Sequence, residues 1–245
     1  MNRHEVTRLT LIRHAETPWT LAERYQGNSN GLLTDRGVRQ AHAIAKRMAS
    51  QQIDVVYTSS LERARETSEI IAKVICKKPC VDTRLGEISF GLWEGKNAQE
   101  LLKAKDPAFL KWCKGIYATP PCGESNLSLR KRVLEFLREK LKSHKGKHIA
   151  VISHQGPIRT MVFRAFKTFR SFWTFQISPA SISVLNFFPN FVQLVSLNET
   201  GHLDDEIPPQ ICEYSEINCE VKELQSTFEA KKGVIYERER AIPQT

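Results

Sequence analysis

Three short segments of this 245-residue chain are apolar and β-branched, and each runs directly into charged or hydroxyl-bearing residues. Arg8-Leu9-Thr10-Leu11-Ile12 leads into Arg13-His14, Ile53-Asp54-Val55-Val56-Tyr57 into Thr58-Ser59, and His148-Ile149-Ala150-Val151-Ile152 into Ser153-His154. Runs of this kind suit strands covered on both faces. Between them lie helical patterns. After Thr34, a good N-cap, Val38, Ala41, Ile44, Ala45 and Met48 recur at helical spacing. Ser59 with Glu62 reads as a capping box before a helix from Ala64 to Ile75, and Ser125 precedes another helix carrying Val133, Phe136, Leu137 and Leu141. A final strand pair is expected at 182–188 and 192–197, turned at Pro189-Asn190. Strands alternating with helices predict an α/β fold, a three-layer α/β/α sandwich with a mostly parallel central sheet.

That architecture directs attention to the strand ends. In open α/β sheets ligands bind beyond the carboxyl ends of the strands. Arg13, His14 and His154 would meet there with Arg63, which falls in the first turn of the helix after Ser59. Two arginines and two histidines suit a dianionic phosphoryl group. Arginine supplies always-charged forked donors, histidine a nucleophile or a donor, and a helix start adds partial positive charge. Each residue also has an ordinary reading: a surface Arg-His pair, a salt-bridged helix face at Arg63 between Glu62 and Glu66, a capping or core His154. Their joint placement after three separate strands is what favours a site.

Composition narrows the class. Hydrophobic residues make up 41% of the chain, enough for a substantial core. No window approaches the roughly 18 consecutive apolar residues of a membrane helix, and the opening Met1-Asn2-Arg3-His4-Glu5 shows no secretory pattern. A cytoplasmic protein without membrane partners is expected. The six cysteines form no C-x-x-C pair and are read as reduced thiols; no metal set is completed and no cofactor is expected. The net charge of +9 is uneven: ten acidic against five basic residues from Asp204 onward leave −5 there, so residues 1–203 carry +14. The division implies a catalytic domain over 1–203 and an acidic appendage over 204–245. The basic body suits an anionic ligand, small phosphates or nucleic acid, and charge alone does not separate the two; a small phosphorylated metabolite is the expected partner. Nucleic acid is not expected as a partner, because no recognition signature accompanies the charge; the basic-aromatic stretch Phe166–Trp173 reads as the packing end of a helix that begins near Pro157.

Leu11-Ile12-Arg13-His14-Ala15-Glu16-Thr17 resembles the R-H-G-E-T signature of the histidine phosphatase superfamily, in its phosphoglycerate mutase-like branch. The likeness continues in order through Tyr25-Gln26-Gly27 with Leu33-Thr34, Gly37 and Gln40-Ala41; Tyr57-Thr58-Ser59-Ser60-Leu61-Glu62-Arg63-Ala64; Leu85-Gly86-Glu87 to Phe90-Gly91-Leu92-Trp93-Glu94-Gly95; Gly123-Glu124-Ser125; Ile152-Ser153-His154; and Leu197-Asn198-Glu199-Thr200-Gly201-His202-Leu203. It covers roughly residues 7–203. The resemblance implies that His14 attacks phosphorus and becomes a phosphohistidine. Arg13, Arg63 and His154 would hold the phosphoryl oxygens, and Glu87 would protonate the leaving oxygen and then activate water. Phosphoryl transfer needs positioning and charge neutralisation above all, and cations around His14 would keep its imidazole neutral and nucleophilic. Thr20, Gln26, Gly27 and Gln155 are assigned to the substrate side. Three positions depart from the family pattern: Ala15 for glycine, Thr20 where many members have asparagine, and Gln155 for glycine. They bear on substrate identity more than on the phosphate ligands.

The resemblance favours hydrolysis of small phosphomonoesters, such as a sugar phosphate or α-ribazole phosphate. A cofactor-dependent phosphoglycerate mutase is the alternative. Between Glu87 and Gly123 there is no R-R-S-Y-D-like stretch of the kind such mutases carry, and Lys103, Lys105, Lys111 and Lys114 read equally well as a polar helix face. A non-catalytic phospho-ligand binding protein is the reading from another class. Trp93 is read as a packing residue. The oligomeric state is open, with a homodimer among the options.

Overall fold

The computed structural model describes residues 6–114, 118–166 and 175–203. The appendage 204–245 and most of the stretch 166–173 lie outside the described residues. Along the chain come β1 (Thr7–Arg13), α1 (Pro18–Leu21), α2 (Asp35–Met48), β2 (Val55–Thr58), α3 (Glu62–Val74), β3 (Cys80–Val81), α4 (Ala98–Lys103), α5 (Pro107–Lys114), α6 (Asn126–Ser143), β4 (His148–Ser153), α7 (Gln155–Val162), β5 (Ile182–Phe187) and β6 (Val192–Glu199). The six strands form one sheet in the order β3-β2-β4-β1-β5-β6. β3, β2, β4 and β1 are mutually parallel, while β5 runs antiparallel to β1 and pairs with β6 as a hairpin. The strands, the hairpin and the mixed α/β class agree with the sequence pattern.

Alternation along the strands sorts side chains to two cores. Leu9, Leu11, Ile149 and Val151 point to one face, where Leu129, Val133, Phe136, Ile158 and Met161 of α6 and α7 cover them. Ile12, Val56, Ala150 and Ile152 point to the other, against Ala41, Ile44 and Met48 of α2 and Ala64 and Ile71 of α3. Trp93 is fully buried and meets Phe109 and Trp112 edge-on, so it is a packing residue. Among the described residues no helix is long and apolar enough to cross a membrane.

Two of the three N-caps take the form the sequence predicts. Thr34 accepts from Gly37 N–H and Ser125 from Ser128 N–H. The capping box at Ser59 and Glu62 does not form: α3 has Leu61 at its N-cap, with no side-chain cap. The Ser59 hydroxyl is engaged elsewhere, 2.8 Å from His154 Nε2 and 3.2 Å from Leu61 N. A tertiary partner has replaced the local one.

Register fixes the edge at which the site forms. Arg13 lies opposite Ser153 on β4, and Thr58 of β2 lies opposite Ile152. The residues just beyond these strands therefore leave the sheet side by side.

Candidate active site

His14 comes directly after β1, and its backbone continues the sheet by donating to Ser153 O at 2.9 Å. Its ring is anchored at both nitrogens. Nδ1 lies 2.8 Å from Ala15 O, and Nε2 lies 3.2 Å from Arg63 Nε. A carbonyl only accepts and a guanidinium only donates, so the proton sits on Nδ1 and Nε2 keeps its lone pair. Burial, then the Arg63 and Arg13 charges, hold the imidazole well below its ordinary range, although the bond to Ala15 O opposes this. The ring is neutral at physiological pH, as a nucleophile must be. His14 retains 3% of its exposure, so the residue is almost wholly buried.

Arg63 is wholly buried at the second position of α3. Besides Nε, Nη1 donates to Ser29 O and Nη2 to Gly27 O, each at 2.8 Å. Burial pulls its pKa down to about 10, with Glu87 and Glu94 opposing the shift, so the side chain stays cationic at neutral pH. Gly27 is required here. Its φ is +52°, and a Cβ would lie 2.0 Å from Glu94 Oε1. That carboxylate accepts from Asn28 N and Phe90 N with Oε1 and from Ser29 Oγ with Oε2. Glu94 thus ties down the loop whose carbonyls hold Arg63.

His154 packs against His14 with ring centroids 5.1 Å apart. It too is fully buried and its pKa is pushed well down, by burial first and then by Arg63. Ser59 bonds its Nε2, and its Nδ1 has no hydrogen-bond partner. Arg13 Nη1 donates to Ile177 O at 2.6 Å, and the Arg13 charge acts on His14, Arg63 and His154 alike. The four residues Arg13, His14, Arg63 and His154 are therefore gathered at one sheet edge.

Glu87 reaches the same edge from a loop. Its Oε1 accepts from Ile88 N at 2.9 Å and Gly156 N at 3.1 Å, while Oε2 keeps only a 3.4 Å contact with Gly156 N. A Cβ on residue 156 would stand 2.5 Å from Oε1, so this position is packed directly against the carboxylate. The residues assigned to the substrate side are less uniform. Gln26 is buried and donates to Thr17 Oγ1 at 2.7 Å. Thr20 is engaged internally: its hydroxyl donates to Thr17 O and accepts from Thr17 N, completing the capping box of α1. Gln155 opens α7 and is half-buried. Thr17 and Gln26 also line a cleft of about 220 Å³ with Pro18, Trp19, Asn30 and Leu32. Among the described residues there is no group of three or more His, Cys, Asp or Glu side chains placed to hold a metal ion.

The sequence did not point to Glu94, nor to Ser59 as a partner of His154. Both stand inside blocks that resemble the family pattern, but nothing local shows whom they touch.

A profile of the histidine phosphatase superfamily (branch 1) matches residues 9–200, and the chain belongs to that family. Phosphoserine phosphatase 1 of Hydrogenobacter thermophilus is 32% identical over 202 residues, which span 82% of this chain and 96% of the relative. The adenosylcobalamin/alpha-ribazole phosphatase of Escherichia coli is 28% identical over 193 residues, 78% of this chain and 95% of its own length. A phosphoserine phosphatase variant from Entamoeba histolytica, solved with phosphoserine, superposes with a TM-score of 0.74 at 30% identity, covering 80% of this chain and 99% of that one.

Proposed function

We propose that this protein is a metal-independent phosphatase that hydrolyses small phosphomonoesters through a phosphohistidine at His14. The observation that carries the reading is the His14 ring: its proton is held on Nδ1 by Ala15 O, and its bare Nε2 faces a buried guanidinium. Arg63 and Arg13 supply the positive charge a phosphoryl group needs, and the neutral His154 ring packs against His14 as a further polar partner. The phosphatase relatives from Hydrogenobacter thermophilus, Escherichia coli and Entamoeba histolytica support hydrolysis as the outcome. Phosphoserine joins sugar phosphates and α-ribazole phosphate among the esters to test.

The steps can be assigned atom by atom. Nε2 attacks phosphorus as the bond to the ester oxygen breaks, and Glu87 gives its proton to the departing alkoxide. The Nε–H of Arg63, which now donates to Nε2, passes to a phosphoryl oxygen once Nε2 bonds phosphorus. With the Ser59 hydroxyl donating a hydrogen bond to His154 Nε2, the neutral ring carries its proton on Nδ1, a further donor to the phosphoryl group. Oε1 of Glu87 is held by two backbone N–H groups, so Oε2 carries the proton. In the second half Glu87 takes a proton from water, the oxygen attacks phosphorus, and the P–N bond breaks to release phosphate. Splitting one displacement into two lowers each barrier, and fixed cations stabilise the charge spread over the phosphoryl oxygens.

The test is phosphate release from a panel of esters with and without EDTA and vanadate, combined with labelling of the protein by a phosphorylated substrate. Release that resists EDTA and yields to vanadate is expected, with an acid-labile, base-stable label that decays in water without any acceptor. A label that persists until a second phosphoglycerate arrives would establish a mutase instead. Binding without release or label would establish a ligand-binding protein.

A further inference from the structure

Arg132 stands on α6, facing the loop that carries Glu87. Its guanidinium makes five hydrogen bonds, one for each N–H it possesses. Nε and Nη2 grip the Glu124 carboxylate, each at 2.7 Å. The second proton of Nη2 goes to Glu87 O at 3.0 Å, and Nη1 reaches Arg84 O at 2.7 Å and Gly86 O at 2.8 Å. Glu124 is tied to the same loop on the far side of Glu87, through its own N–H to Ser89 O at 2.8 Å. The pair thus binds the loop backbone at residues 84, 86, 87 and 89, bracketing the carboxyl-bearing residue. A third anchor comes from β4, where Ser153 Oγ donates to Leu85 O at 2.7 Å.

We infer that the Glu124–Arg132 pair is a positioning device for Glu87, setting the place of its carboxyl through the backbone of its loop. The inference rests on the reading of Glu87 as the proton donor. Several features favour this over a general stabilising role. The pair is partly buried, its Arg132 and Glu124 side chains 22% and 19% exposed, and it is bidentate, the geometry that fixes direction as well as distance. The three N–H groups that Glu124 leaves over all go to carbonyls of the acid loop. The loop has no strand or α-helix over 84–89 to hold it, only a short 3-10 turn at Thr83–Leu85. Side-chain ties therefore set where the backbone of Glu87 sits, and Gly156 N–H then sets where its carboxylate points. A displacement of about 1 Å in a reacting group can cost on the order of a hundredfold in rate.

The experiment compares kcat/KM, which covers only the steps up to formation of the phosphohistidine, for two substrates on each preparation of full-length protein: an alkyl phosphate, whose alkoxide needs a proton to leave, and nitrophenyl phosphate, whose phenolate does not. Comparing two esters on one preparation makes their ratio insensitive to the fraction of folded enzyme. Glu87→Gln should lose about 10²-fold or more on the alkyl ester and far less on the nitrophenyl ester, the signature of a lost general acid. Arg132→Lys, which has three donors in place of five, and the milder Glu124→Gln should lose about 10-fold or more on the alkyl ester with the nitrophenyl ester little changed. Adding Arg132→Lys to Glu87→Gln should bring no further loss on the alkyl ester, because the two act through one group. Equal losses on both esters in Arg132→Lys and Glu124→Gln, or losses that multiply in the double variant, would overturn the positioning role while leaving Glu87 in place. Equal losses on both esters in Glu87→Gln itself would instead remove Glu87 as the acid, and the positioning role with it.

Discussion

The proposed nucleophile side and the proposed acid side of this site are built by different means. His14, Ser59 and His154 each stand just beyond one of the parallel strands β1, β2 and β4, and Arg63 is one residue inside the helix after β2. Backbone register sets their spacing, and the side-chain bonds only trim orientation. Glu87 sits on a loop between the 3-10 turns Thr83–Leu85 and Gly91–Trp93, and is placed by hydrogen bonds from α6, α7 and β4. The first arrangement is as rigid as the core beneath it. The second depends on a few hydrogen bonds from groups outside the loop. Damage on the nucleophile side should therefore slow every ester alike, whereas damage on the acid side should show a dependence on the leaving group.

Four outcomes test that contrast, beginning with the largest. His14→Ala should lower phosphate release by about four orders of magnitude and abolish labelling for every ester, since a missing nucleophile disables the group as a whole. Steady-state rates on the alkyl and nitrophenyl esters check this, and near-normal release by the variant would remove His14 from its role. Arg63→Lys keeps the charge but loses the planar fork that now holds His14 Nε2, Gly27 O and Ser29 O. A fall in kcat of about 10²–10³-fold, equal on the two esters, is expected. A fall confined to the alkyl ester would blur the division between the two sides.

Gly156→Ala should act on the acid side. Its new Cβ would meet Glu87 Oε1 at 2.5 Å and push the carboxylate away. A loss of about tenfold on the alkyl ester, with little change on the nitrophenyl ester, is the expected result from displacing a general acid without removing it. Unchanged rates on both would mean that the carboxylate position is not limiting.

The smallest effect concerns stability. The native state holds His14 and His154 well below their ordinary value near 6.5, and His148, half-buried and facing the Arg8 charge, at about 4. Below about pH 6.5 the unfolded chain binds protons that the native rings refuse, so stability should be greatest above that pH and decline as pH falls toward 4. Urea midpoints should therefore drop between about pH 7.5 and pH 5. A midpoint that rose on acidification would contradict the burial of these imidazoles.

Much of the nucleophile side was legible in the sequence. The runs 8–12, 53–57 and 148–152 betray themselves by composition, and a residue just past the end of a parallel strand has little choice of place. The N-caps Thr34 and Ser125 were legible for the same reason, since both partners lie within one turn. Thr20, assigned to the substrate side, also closes a capping box with Thr17 three residues away, and its hydroxyl takes part in that box. Ser59 misled, because a good local cap lost its hydroxyl to a histidine 95 residues downstream. Arg132 looked like one more basic residue on a helix rich in lysine and arginine. Its carbonyl partners lie 45 to 48 residues upstream, and carbonyls leave no trace in the sequence.

The sequence alone determined which segments become strands, which residues emerge from their ends, and therefore that two arginines and two histidines converge. Those outcomes rest on local pattern and on the direction of parallel strands. Only the tertiary structure decided which nitrogen of His14 holds the proton, why residue 27 is glycine, how closely residue 156 approaches the Glu87 carboxylate, and how the loop of Glu87 is fixed. Each of these depends on a hydrogen bond or a close approach between groups far apart in the chain, and such pairings arise only once the layers have packed.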